Sequence, residues 1–190
     1  MPMFKNVQSV FRYAGPHREI LLRAKDGQDP TAIAIFSEVY GDVVRRELLS
    51  LIRRENIRWL VVPRMSLQRI VRLNWHPNDL WKTIASEQSM VNVDQEPVRV
   101  YMRAPFVAKR RAQLSSRLRR QDLASKVDTH LLRRKPPLEE VSALFVDDVL
   151  TSGGTLIQEW QNFVRLHQSV QVRAHVFTLF RTPLSDNNQD

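Results

Sequence analysis

Two adjacent carboxylates, Asp147 and Asp148, are followed, after Val149 and Leu150, by Thr151-Ser152-Gly153-Gly154-Thr155. Together these residue types suit a sugar phosphate. Val141 to Val146 reads as an apolar strand, and Leu156, Trp160, Phe163, Val164 and His167 mark an amphipathic helix from Gly154 to about Leu166. A helix start offers unpaired backbone N–H groups and a positive dipole end, and both favour a phosphate. Gly153 and Gly154 let the backbone approach closely, and Thr151, Ser152 and Thr155 add hydroxyl donors. The carboxylates suit another task, accepting hydrogen bonds from vicinal hydroxyls such as a ribose presents.

Three rival chemistries share parts of this pattern. A Walker loop requires a lysine after its glycines, and none follows Gly154. An acid pair after a strand also occurs in magnesium-dependent phosphatases and receiver domains, where T-S-G-G-T has no role. The last rival is an acidic turn beside a glycine-assisted helix cap.

The elements that must position this segment alternate. Val10 to Tyr13 is a short extended stretch closed by Gly15-Pro16, and His17 to Lys25 a short helix. From Pro30 to about Arg54 the apolar residues Ile33, Phe36, Tyr40, Val43, Val44, Leu48, Leu51 and Ile52 share one helical stripe, with a kink or break expected at Gly41. Ile57 to Val62 is a buried strand stopped by Pro63. Pro77 opens another helix, bearing Leu80, Trp81, Ile84 and Ala85. Val98 to Tyr101 and Val170 to Phe180 are strands. This alternation predicts an α/β fold with a mostly parallel central sheet flanked by helices. Residues 1–184 are expected to form a single domain and residues 185–190 a frayed C-terminal tail.

Composition narrows the ligand class. The chain has 29 basic and 20 acidic residues, and eleven of the former but only two of the latter lie between Arg103 and Lys135. That leaves 18 of each sign elsewhere, so the whole net charge of +9 sits in one internal segment. Such a local excess suggests an anionic ligand; the bland alternative is a solvated basic face. Sparse apolar residues there (Leu114, Leu118, Leu123) predict a basic mobile loop. Cysteine is absent, which excludes disulfides and thiolate chemistry. No segment reads as a signal peptide or membrane span, so a cytoplasmic protein without membrane insertion is expected. The five histidines, His17, His76, His130, His167 and His175, show no ligand spacing and are expected to be structural or exposed.

Phe145 to Leu156 resembles the signature with which type I phosphoribosyltransferases bind 5-phosphoribosyl 1-pyrophosphate (PRPP). Looser matches point to the ComF-like branch, linked to DNA uptake and utilisation. Tyr13-Ala14-Gly15-Pro16 through Lys25 looks like its early helix with a lysine. Val61-Val62-Pro63-Arg64 is similar to its V-P-V-P loop, and Arg72-Leu73-Asn74-Trp75 to its R-G-F-N element. Leu114-Ser115 through Asp122 is similar to its mobile loop. The cysteine module of that branch is absent, Leu73 stands in place of a glycine, and Arg64-Met65 replaces V-P.

The resemblance implies a type I phosphoribosyltransferase-like fold and transfer of a 5-phosphoribosyl group from magnesium-PRPP to a nucleobase nitrogen, with pyrophosphate released. Asp147 and Asp148 would bind the ribose, and Thr151, Ser152, Gly153, Gly154 and Thr155 the 5-phosphate. Arg64, Lys25 and Arg72 are pyrophosphate candidates, each weighed against an ordinary exposed residue, and Asn74 against a helix cap. Lys109, Arg110, Arg111, Arg117 and Arg119 would belong to a lid closing over PRPP. Mg2+ enters with PRPP, with no direct protein ligand assigned. No residue stands out as the catalytic base, and an oligomer is compatible with the sequence. The rival function is non-catalytic: a PRPP- or nucleotide-binding protein, or a single-stranded-DNA-binding accessory factor, on the same fold.

Overall fold

The computed structural model describes residues 3–26, 28–65, 75–81, 83–84, 98–102, 140–167 and 171–183. Among the described residues the bounded strands and α-helices are β1 (Phe4–Arg12), α1 (Gly15–Lys25), α2 (Pro30–Ile35), α3 (Gly41–Arg54), β2 (Trp59–Val62), β3 (Arg99–Met102), β4 (Glu140–Leu150), α4 (Gly154–Leu166) and β5 (Gln171–Arg181). Residues 77–81 and 83–84 are also helical. The five strands form one sheet in the order β1-β5-β4-β2-β3, and every neighbouring pair is parallel. Parallel pairing places all the strand C-termini at one end of the sheet, with β4 in the middle. Among the described residues no helix is long and apolar enough to cross a membrane.

Both faces of the sheet are covered, which explains why its strands read as nearly continuous apolar runs. On one face Leu60, Val62, Leu144, Val146, Phe177 and Leu179 pack against Leu21 of α1, Phe36, and Val44, Leu48 and Leu51 of α3. On the other, Val61, Ala143, Phe145 and Val176 pack against Leu156, Trp160 and Phe163 of α4. Phe163 is fully buried, edge-on to Trp59, Tyr101 and Phe145 with ring centroids 5.6, 5.2 and 5.9 Å away. Alternation along β4 sends Asp148 to the same face as Leu144 and Val146, the face that α1 covers.

Two expectations need correction. Gly41 does not break its helix: α2 runs into α3 through a π-helical turn at Phe36–Tyr40, and Gly41 opens α3 at helical φ. Phe36 and Tyr40 at the two ends of that turn are both buried, their rings stacked 5.3 Å apart. The first strand is also longer than its apolar pattern suggests. A register shift between Phe4 and Asn6 breaks the alternation there, while pairing with β5 continues from Asn6 to Arg12.

Candidate functional site

The strand that carries the acid pair does not end at Val146. Pairing with β5 continues through Asp147↔Thr178 and Val149↔Phe180 to Leu150↔Arg181, so the acids belong to the last part of a central strand. Their backbone is therefore fixed by the sheet. The Thr182 N–H and hydroxyl both donate to the Leu150 carbonyl at 3.1 Å, which pins the point where the chain leaves β4.

Thr151, Ser152 and Gly153 then turn the chain into α4. Gly153 is the N-cap, left-handed at φ 71°, a conformation that costs a residue with Cβ about 1–2 kcal/mol. It is buried, while Thr151, Ser152 and Thr155 are exposed and Gly154 is half-buried. No side chain caps α4, and its first intrahelical bond runs from the Ile157 N–H to the Gly153 carbonyl at 3.0 Å. The backbone donors of the first turn thus remain for an anion. The five residues expected to hold a phosphate lie together, directly after the acids.

Lys25, the last residue of α1, reaches the acid pair and forms an ion pair with Asp148 Oδ2. Burial weighs against charge on Asp148, but the charge and hydrogen bond of Lys25 hold its carboxyl below the usual aspartate range. Asp147 behaves oppositely. Burial first, then the adjacent charge of Asp148, push its carboxyl well above that range. Asp147 Oδ1 accepts the Asp148 N–H at 2.9 Å, and Asp148 Oδ1 accepts the Val149 N–H at 2.9 Å.

A third segment converges on the same end of the sheet. Gln28, at φ 50°, donates to the Trp75 carbonyl at 3.2 Å and accepts the Trp75 N–H at 3.0 Å. This holds Trp75-His76-Pro77-Asn78 against the end of α1. Asn78 Nδ2 donates to the Pro63 carbonyl at 2.9 Å, tying the same stretch to the end of β2. His76 caps the helix that follows: its Nδ1 accepts the Asn78 N–H at 3.1 Å, while Asp79 accepts the His76 N–H at 3.3 Å. This is a capping box with a ring nitrogen in place of a hydroxyl. His76 thereby faces Asp148 from this stretch.

The structure thus pairs Lys25 with Asp148, beside Asp147, with Thr151–Thr155 following after Val149 and Leu150. Arg64 is half-buried where the chain leaves β2; carrying the register Val61↔Phe145 forward sets Pro63 beside Asp147. Arg72, Asn74, Lys109, Arg110, Arg111, Arg117 and Arg119 lie outside the described residues. Residue type and spacing do not mark His76, Asn78 and Gln28 as neighbours of this site. The H-P-N-D run at the helix start is their one local signal, and it points to a cap rather than to the acids. No protein-family model matches the chain, and no curated protein matches it in sequence.

Proposed function

We propose that the chain binds PRPP and is a phosphoribosyltransferase of the type I class, moving a 5-phosphoribosyl group to a nucleobase nitrogen. One observation carries this reading: an acid pair, Asp148 buried and Asp147 half-buried, and an uncapped helix start led by Gly153, five residues after Asp148, stand on one strand–turn–helix unit. The first suits the two hydroxyls of a ribose and the second its 5-phosphate. They lie beyond the carboxyl end of a central parallel strand, where open α/β sheets bind ligands.

In the transfer, the bond from the ribose C1 to pyrophosphate breaks and one from C1 to the acceptor nitrogen forms. Pyrophosphate leaves with its electron pair, and the proton of the acceptor nitrogen passes to the departing pyrophosphate or to water. The protein would supply position and charge. Asp147 and Asp148 hold the ribose, and the N–H groups and hydroxyls of 151–155 hold the phosphate. Arg64, just beyond the end of the neighbouring strand β2, is the candidate to meet the diphosphate. Magnesium arrives as part of the substrate. Release of pyrophosphate from magnesium-PRPP across a panel of nucleobases tests the activity; no release with any base, despite PRPP binding, would leave a binding protein.

A second reading, single-stranded DNA binding, is favoured by the local excess of nine positive charges between Arg103 and Lys135. Only Phe106 is aromatic in that segment, so base stacking has little to use and a diphosphate is the better match.

A further inference from the structure

The two acids are not equivalent. Lys25 meets Asp148 with the two side chains only 15% and 11% exposed, so water screens the pair weakly. Asp147 has no ion pair of its own among the described residues, and its carboxyl is held beside its neighbour by the Asp148 N–H. Two partly desolvated carboxylates this close do not both stay charged, and one ammonium satisfies only one of them. The charged or titratable groups facing Asp148 are Lys25 from α1, His76 from the 75–78 stretch and Asp147 on its own strand. With Nδ1 accepting the Asn78 N–H, His76 carries its proton on Nε2 and is neutral. It does not replace the lysine.

We propose that Lys25 is the positioning residue of the acid pair: it holds Asp148 as the anion and leaves Asp147 as the acid, so a vicinal diol meets one hydrogen-bond acceptor and one donor. The role of the diol rests on the sugar-phosphate reading above; the division of charge does not. The arrangement also removes an electrostatic conflict. Two bare carboxylates would repel a phosphate bound three residues away, whereas one carboxylate paired with an ammonium, beside a neutral acid, would not.

The test is a carbon-detected titration of the Asp147 and Asp148 carboxyls in the unliganded protein, from about pH 4 to about pH 8. Wild type, Lys25→Met and Lys25→Arg are compared. In wild type Asp148 should stay ionised over most of that range, with Asp147 protonated well into it. Lys25→Met should raise the Asp148 titration by about one unit or more, and Lys25→Arg should leave it in place. An Asp148 titration unmoved by Lys25→Met would overturn the proposal. If Lys25→Met does not fold, wild type alone decides, since an Asp147 that ionises in the ordinary aspartate range overturns it equally.

A second arm measures ribose 5-phosphate affinity over the same pH range, where the ligand's own titration is common to all three proteins. Displacement of the Lys25→Met profile in step with Asp148, restored in Lys25→Arg, supports the proposal. Uniform weakening with an unchanged profile contradicts it. Expected titrations without ribose 5-phosphate binding in any protein would support the charge division and remove the sugar-phosphate reading.

Discussion

Gln28 uses one side chain to hold both backbone groups of Trp75, 47 residues later, as a neighbouring strand would. The same amide also donates to the carbonyls of Ala24 and Lys25, closing the end of α1. The residue that presents Lys25 to Asp148 and the stretch that presents His76 are therefore fixed by one glutamine.

Gln28→Ala should lower stability by about 1–3 kcal/mol, since it leaves part-buried backbone groups without their partners. The Trp75 amide should exchange with solvent faster, while amides in the middle of β4 keep their protection. Denaturant melts combined with hydrogen exchange check both; an unchanged Trp75 amide would mean that the clamp does not hold this stretch.

Asp147 sets the sign of one pH dependence. Its folded carboxyl binds a proton more tightly than the unfolded one, so its contribution is complete below the unfolded value and is lost as pH rises through the folded value. Asp148 runs the other way, contributing above the unfolded value and losing that contribution as pH falls through the folded one. Asp147→Asn cannot ionise. It should flatten the loss of stability on the alkaline side of the ordinary aspartate range, about pH 4, and leave the acid side in place. Thermal melts over pH read this, and an unaltered alkaline slope would place the Asp147 carboxyl in ordinary surroundings.

The charge excess between Arg103 and Lys135 separates the two proposed ligands. If it serves PRPP, changing Arg110, Arg111, Arg117 and Arg119 to Gln should weaken PRPP or slow turnover, with feeble DNA binding at physiological salt. If it serves single-stranded DNA, log affinity should fall with log salt by about 0.7 for each phosphate contacted. The four substitutions should then flatten that slope and leave PRPP affinity unchanged. Paired titrations with PRPP and an oligonucleotide distinguish the outcomes.

Periodicity alone locates most of the elements, because a sheet covered on both faces produces long apolar runs and helices on its faces produce stripes. The helix from Gly154 to Leu166 is legible from Leu156, Trp160 and Phe163, all of which pack on the sheet. Two boundaries are hidden for physical reasons. Acids rarely sit in central strands, so the strand reads as ending at Val146, just before Asp147; the partner residues Thr178, Phe180 and Arg181 that continue the ladder lie about thirty residues on in the sequence. The π-helical turn before Gly41 leaves no mark that single-sequence periodicity can register.

The site divides along similar lines. The acid pair and phosphate turn are contiguous in the chain, so residue type and spacing suffice to find them. Contact between Lys25 and Asp148 spans 123 residues and depends on how α1 crosses the sheet. The approach of Asn78 to Pro63 likewise exists only once β2 and the 77–81 helix are packed.

Calorimetric titration with magnesium-PRPP, comparing wild type with an Asp147→Asn/Asp148→Asn double variant of unchanged fold, addresses the binding site most directly. Wild type should bind, and its thermal stability should keep rising with the logarithm of ligand concentration above the Kd. The double variant should bind at least about tenfold more weakly, since one hydrogen bond to a charged acceptor such as Asp148 is worth about 1.5–3 kcal/mol. Equal affinity in the two proteins, or no binding by wild type, would contradict the assignment of Asp147 and Asp148 to a PRPP ribose.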